Sequence, residues 1–288
     1  MNGILNAYLE NRAALRNECA ALLRKQGLPE KFVSDVFWED FLCDEEHIPF
    51  SVSGAALPGK KFNAPDFFSE VRPGVERVAR WKRLCVTTTW LLDLRSFRTQ
   101  EDWFESLSPK NRKKLRWLRN AVPKLGAQVR PLESEADFDS FESLYSVQFP
   151  KHAAGSPENR ALRILYRRFI EEKRSFSRLL LAPDGSALAA CLAYANGNSL
   201  YYTHLTRTRG EYDKFSPGYY LTYAVIRELL EGHPEISFFF LGPGEYDYKN
   251  ALGGTPYPVY RYERNTMLNL FGLIRLYHRA AKERASAK

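Results

Sequence analysis

Cysteine is scarce in this chain of 288 residues: Cys19, Cys43, Cys85 and Cys191 stand far apart and form no CxxC pair. That spacing excludes a zinc ribbon and offers no disulfide framework, so a reducing compartment is expected. Long apolar runs are missing as well. Glu10, Arg12 and Arg16 interrupt the first helical stretch, which therefore lacks the unbroken apolar core of a signal peptide. The longest uncharged run, Gly185 to Thr206, carries Asn196-Gly-Asn-Ser199 at its centre and reads as two strands joined by a turn, not as a membrane span. No Ser-His-Asp or Cys-His arrangement is evident, so covalent catalysis is not expected. What the chain does have is 44% hydrophobic and 14% aromatic residues, enough to exclude a disordered or fibrous protein. A soluble, cytoplasmic protein is the expectation.

The charge is local. Lys plus Arg is 42 against 34 acidic residues. Between Ser108 and Arg130 lie eight basic residues (Lys110, Arg112, Lys113, Lys114, Arg116, Arg119, Lys124 and Arg130) and no acid, so the whole net +8 sits in this segment. Ser108-Pro109 is a helix start, and Leu115, Leu118 and Val122 form its narrow apolar face. With no acid inside the helix at i,i+4 to offset the repulsion, Lys110, Arg112, Lys113 and Arg116 are candidates for an anionic partner. Acidic carrier protein, phosphorylated ligand, anionic lipid and RNA all fit.

Residues 1–84 read as a helical N-terminal region. Leu5, Tyr8, Leu9, Leu15, Cys19, Leu22 and Leu23 form one stripe closed by Gly27, and Phe32, Val33, Val36, Phe37 and Phe41 form a second. Loops are expected over 49–73. Residues 85–266 form the expected second domain: a strand at Cys85–Leu94, the basic helix, and a strand near Ala127–Leu132. Helices follow at Glu135–Gln148 and Glu158–Lys173, then strands at Arg178–Ala182, Ala187–Ala195 and Leu200–Thr206. A helix is expected from Gly218 to about Glu231, with strands at Ser237–Gly242 and Tyr257–Tyr262. An amphipathic basic helix, Leu268 to about Glu283, occupies residues 267–288 and could lie on an anionic membrane at the inner face. The order is α+β (α/β), with an antiparallel meander before a crossover helix. A helix opening at Ser216-Pro-Gly218 directly after a strand is a ready anion site.

Three stretches carry a family resemblance: Leu107-SPKNRKKL-Arg116, Tyr212-DKFSPGYY-Leu221 and Leu241-GPGEYDYKNAL-Gly253. Together they resemble the GNAT acyltransferase superfamily, in its FemAB-like branch linked to cellulose and exopolysaccharide biosynthesis; Phe240 stands where that branch has an aspartate. The resemblance implies a GNAT fold: a mixed, mostly antiparallel central sheet flanked by helices. It also implies a splayed strand pair for a pantetheine arm, and donor phosphates held at Ser216, Pro217, Gly218, Tyr219 and Lys214. Residues 1–84 would then be a cover over the acceptor site or the remnant of a first GNAT domain.

Acyl transfer to an amine needs a base, stabilisation of the carbonyl oxygen and a proton for the leaving thiolate. Glu245 and Asp247 are the first candidates for the base and His204 the next. Tyr248 could donate the proton, while Tyr202, Tyr246 and Lys249 could hold the acceptor. The expected donor is acyl-CoA or acyl-carrier protein, with no metal, and the acceptor an amino group on a sugar, lipid or envelope precursor. Two rivals stand beside it: an aminoacyl-tRNA-dependent FemABX-like peptidyltransferase, and a non-catalytic GNAT fold bound to a membrane or envelope assembly. DNA is not an expected partner.

Overall fold

The computed structural model describes residues 2–35, 75–78, 81–150, 152–244, 246–264, 274 and 278. The predicted second stripe beyond Asp35, the loops over 49–73 and the C-terminal amphipathic helix lie outside the described residues, Ile274 and His278 apart.

Helix α1 spans Asn2–Lys25. Leu15, Cys19 and Leu23, four residues apart, are buried together in the core. Gly27, at φ 68°, closes the helix; Leu28 N–H reaches back to Leu23 O and Gly27 N–H to Arg24 O, the paired bonds of a glycine C-terminus. The N-terminal region is not wholly helical. Strand β1 (Val75–Val78) pairs with the start of β2 (Trp81–Asp93), so the strand expected at Cys85 begins four residues earlier and crosses residue 84. A second element escaped the sequence pattern: α2, Gln100–Ser106, opened by a Thr99/Asp102 capping box.

The basic helix forms as expected. It is α3, Pro109–Lys124, capped by Ser108 and buried along Leu115, Leu118 and Val122. After β3 (Gln128–Pro131) come α4 (Glu135–Gln148) and α5 (Pro157–Glu171), each opened by a serine cap. Strands β4 (Arg178–Leu181), β5 (Ala187–Asn196) and β6 (Ser199–Arg207) form the antiparallel meander, with the predicted turn at Asn196–Ser199. Helix α6 (Pro217–Gly232) crosses to β7 (Phe238–Pro243), which lies parallel to β6. Helix α7 (Asp247–Ala251) and β8 (Thr255–Arg264) follow.

The eight strands make one sheet in the order β1-β2-β7-β6-β5-β4-β3, with β8 on the other edge of β2. Helices cover both faces. On one, α1, α4 and α5 bury Leu165, Phe169, Phe141 and Leu23 against Leu192, Tyr194 and Tyr201. On the other, α2, α3 and α6 bury Trp103, Leu115 and Val225 against Cys191, Tyr202 and Leu241. With both faces covered, the central strands read as continuous apolar runs rather than alternating ones. Tyr201 and Tyr202 are therefore both buried, on opposite faces. Among the described residues, no helix is long and apolar enough to cross a membrane.

Candidate active site

The site begins with a broken ladder. β6 and β7 pair only at Ser199↔Phe238, Leu200↔Phe239 and Tyr201↔Phe240. Beyond that, β6 runs on to Arg207 and β7 to Pro243 without pairing to each other. The parting coincides with a bulge: Leu192 faces His204 and Ala193 faces Tyr202, leaving Thr203 as an extra residue on β6. A bulge bends its strand and sharpens its twist, which carries β6 away from β7. The result is a cleft through the middle of the sheet beyond Tyr201↔Phe240, closed at the far end of β6 by Gln148, whose Oε1 accepts from Arg207 N–H (3.0 Å) and from Thr206 Oγ1 (3.2 Å).

One lip is the head of α6. A short 3₁₀ turn, Glu211–Phe215, delivers the chain to Ser216, which sits in the left-handed region at φ 45° and does not cap the helix with its side chain. Pro217 takes the first helical position and has no N–H to satisfy. A Cβ on Gly218 would lie 3.4 Å from Leu205 Cδ2 and 3.7 Å from Arg207 Cδ, so the helix head rests on the unpaired end of β6. No acid occupies its first turn, so nothing inside that turn offsets the positive end of the helix dipole. Tyr219 is buried, and among the described residues its hydroxyl has no hydrogen-bond partner. Asp213 accepts from Gly210 N–H and pairs with Arg207, bracing the loop. Lys214 lies with its ammonium 5.1 Å from the Phe215 ring centroid.

The other lip is the turn after β7. Asp247 opens helix α7 (Asp247–Ala251), so Asp247, Tyr248 and Lys249 stand on a helical turn; Glu245 lies outside the described residues. Lys249 is 2% exposed and donates to Gly242 O (2.8 Å) and Gly244 O (3.3 Å), a geometry that clamps the glycine turn instead of offering the ammonium to solvent. Burial lowers its pKa to about 7, and a neutral amine still has a proton for each carbonyl. Trp90 Nε1 also donates to Gly244 O, at 2.9 Å. Gly254 is required here: a Cβ would fall 2.9 Å from both Leu241 Cδ1 and Lys249 O. Tyr246 and Asp247 are exposed.

Two phenols belong to this region, Tyr202, which is buried, and Tyr248, which is partly buried. Tyr202 donates to Thr222 Oγ1 (3.1 Å), whose own proton goes to Gly218 O (2.9 Å), tying the cleft floor to the head of α6. Burial raises the pKa of Tyr202 and Tyr248, with the neighbouring phenol and Cys191 adding to it, so both stay protonated at neutral pH. His204 belongs to the opposite face. It packs edge-on against Phe141 and Tyr145, and burial, aided by His152, pushes its pKa down to about 4. Thr203 Oγ1 donates to Leu192 O (3.2 Å) and lies 3.0 Å from His204 Nδ1. A threonine has one hydroxyl proton, so Nδ1 carries the imidazole proton and Nε2 is left as the acceptor.

The basic helix divides. Arg112 donates to Glu105 O and Leu107 O and pairs with the Glu105 carboxylate; Arg119 lies 3.9 Å from Glu101, and the Arg116 guanidinium faces Phe104. Acids absent from the helix itself are thus supplied by α2, which answers the repulsion that the sequence left open. Lys110, Lys113 and Lys114 remain exposed. Lys114 stands with Nζ 4.5 Å from the Tyr219 ring centroid, at the head of α6. That contact, and a stacked pair formed by Trp117 and Phe215, escaped the sequence reading, although Lys110, Lys114 and Trp117 share one helical stripe at i, i+4 and i+7.

A crossover helix with an uncapped head beside a parted parallel strand pair can now be set against known proteins. Residues 109–250 match the family described as acetyltransferase (GNAT) domain. This segment is a GNAT domain. Its fold is the mixed, mostly antiparallel α/β fold expected of that family. No curated protein matches the chain. Among solved structures it is similar to FemX (11% identity, 65% of this chain and 63% of that one, TM-score 0.49). It is also similar to L-PGS from Bacillus licheniformis (11%, 69% and 66%, TM-score 0.45). A third is the Saccharomyces cerevisiae N-myristoyltransferase with bound myristoyl-CoA (14%, 62% and 47%, TM-score 0.36). The chain spans less than two thirds of the length of each. Among the described residues of the GNAT domain and its flanks, no group of His, Cys, Asp or Glu could hold a metal ion.

Proposed function

We propose that the protein is an N-acyltransferase that moves an acyl group from acyl-CoA or an acyl-carrier protein to an amino group of a sugar, lipid or cell-envelope precursor. The observation that carries this reading is the parting of β6 and β7 after Tyr201↔Phe240, with the uncapped head of α6 resting on Leu205 at one lip. A pantetheine arm is a linear chain of amides. It fits a cleft between two strands that part, and its phosphate end fits a helix N-terminus. The donor approaches on the α6 face and the acceptor amine meets the acyl carbon through the cleft from the His204 face. The C–N bond forms as the C–S bond breaks. Tyr248, held protonated by burial, gives its proton to the departing thiolate, and neutral His204 or exposed Asp247 takes the amine proton. The oxygen's developing charge is met by unpaired main-chain N–H on β6.

Isothermal calorimetry with acetyl-CoA and with an acylated carrier protein tests this. Binding is expected in the wild type, lost in Ser216→Asp, which sets a carboxylate at the helix head, and retained in Ser216→Asn. Absence of binding by every pantetheine donor would overturn it. The exposed lysines of α3 beside the same lip favour a second reading, an aminoacyl-tRNA donor held through phosphates. It predicts salt-sensitive tRNA binding that Lys110→Glu with Lys114→Glu abolishes.

A further inference from the structure

α3 shows two different sides. Arg112, Arg116 and Arg119 turn to α2, where Glu101, Phe104 and Glu105 receive them. Lys110, Lys114 and Trp117 form the other stripe, which meets the 3₁₀ turn at Glu211–Phe215 and the head of α6. Trp117 is 48% exposed, unlike Trp103, which is fully buried. Its indole lies nearly parallel to the Phe215 ring, with 7° between planes and 5.8 Å between centroids. Phe215 immediately precedes Ser216, so this aromatic ledge adjoins the anion-binding turn. Each ring near it has a cation beside it: Lys114 on Tyr219 and Lys214 on Phe215. Partial desolvation, and then the charge of Lys110 one turn earlier on the helix, lower the Lys114 pKa. Finally, the Tyr219 hydroxyl is buried, at a residue 6% exposed, and has no partner among the described residues. A half-exposed indole, clustered cations and an orphaned hydroxyl, all within one turn of a helix head, have no task in the packing of the core.

We propose that Trp117 and Phe215, with Lys114, Lys110 and the Tyr219 hydroxyl, form a seat for the adenosine nucleotide at the end of the acyl donor. The base stacks on the exposed part of the indole, as any flat π-face can. Its phosphates take the Lys110 and Lys114 ammonium groups and the N–H groups of α6, and Tyr219 donates to a phosphate or ribose oxygen. The seat rests on the acyl-donor reading and deepens it, since it states which end of the donor is read. Coenzyme A and the 3′ end of a tRNA both present this chemistry, and the two sources are separable.

The test is a ratio of affinities measured by calorimetry. In one arm, coenzyme A is compared with 4′-phosphopantetheine; in the other, a CCA-ended RNA minihelix is compared with the same RNA lacking its terminal adenosine. The adenosine is expected to tighten binding by on the order of tenfold in one arm, which names the source. Trp117→Ala is expected to bring that ratio close to one and Trp117→Phe to keep most of it. An unchanged melting temperature shows the variants folded, as expected for a half-exposed side chain. Equal affinity with and without adenosine in both arms, or a ratio that survives Trp117→Ala, overturns the seat while leaving the acyltransferase reading intact. Failure of both members of both pairs to bind overturns the acyl-donor reading itself.

Discussion

Along its β5 edge, β6 is paired from Ala189↔Arg207 to Asn196↔Ser199; along its β7 edge, pairing ends at Tyr201↔Phe240. The same nine-residue strand thus has one closed edge and one that opens halfway. The closed edge is lined by side chains such as Leu192, Cys191 and Tyr194, all fully buried. The open edge gathers a left-handed serine, close-packed glycines, a buried lysine and buried phenols. Residues that cost stability cluster on one edge, and residues that supply it on the other. That is the distribution expected when a rigid frame holds a reactive gap.

Five changes would break or sharpen this contrast. The largest effect is expected on the closed edge: Leu192→Ala should lower stability by about 2–5 kcal/mol in urea titrations, with donor affinity unchanged in the folded fraction. Lys249 comes next. Between about pH 7 and 10.5 the unfolded chain keeps a lysine proton that the folded chain has released, so wild-type stability should rise with pH across that window. Lys249→Met should flatten the rise, read by urea unfolding at pH 7 and 9. His204 acts in acid. Its folded pKa of about 4 lies below the usual 6.5, so stability should fall as pH drops from 6.5 toward 4, where the unfolded chain binds the proton first. Thermal melts of His204→Gln should show a shallower fall over the same range. Thr222→Val, which severs Tyr202 from Gly218 O, should cost about 1–2 kcal/mol and weaken donor binding without changing the sheet's circular dichroism. The smallest effect is expected at Ser216, where Ser216→Gly relieves φ 45° and should gain less than about 1 kcal/mol.

The frame was largely legible in the sequence because its signals are local. The α4 limits follow from Ser134 with Asp137 and from the Phe138, Phe141, Tyr145 spacing; the α3 start follows from Ser108-Pro109; the meander follows from Asn196-Gly-Asn-Ser199. Short elements were lost for lack of period. Helix α2 has seven residues and α7 five, too few for an apolar stripe, though Thr99-x-x-Asp102 was a readable cap. The start of β2 was hidden because Trp81-Lys-Arg83 looks polar and gains its strand character by pairing on one edge with β1 just before it and on the other with β8, far along the chain. At the candidate site, sequence order could name Tyr248, Lys249 and the Ser216 turn. It could not show that Lys249 spends its protons on carbonyls or that His204 faces away from Tyr202, because both facts arise from pairing between distant segments.

Thr203 holds a further consequence. Leu192 and Ala193 are satisfied by His204 and Tyr202, so the strand has one residue more than its partner can use. A chain without Thr203 would keep every remaining side chain of β6 on its present side, yet run straight and zip shut against its parallel neighbour. A single extra residue therefore marks the boundary between the paired and the parted halves of β6.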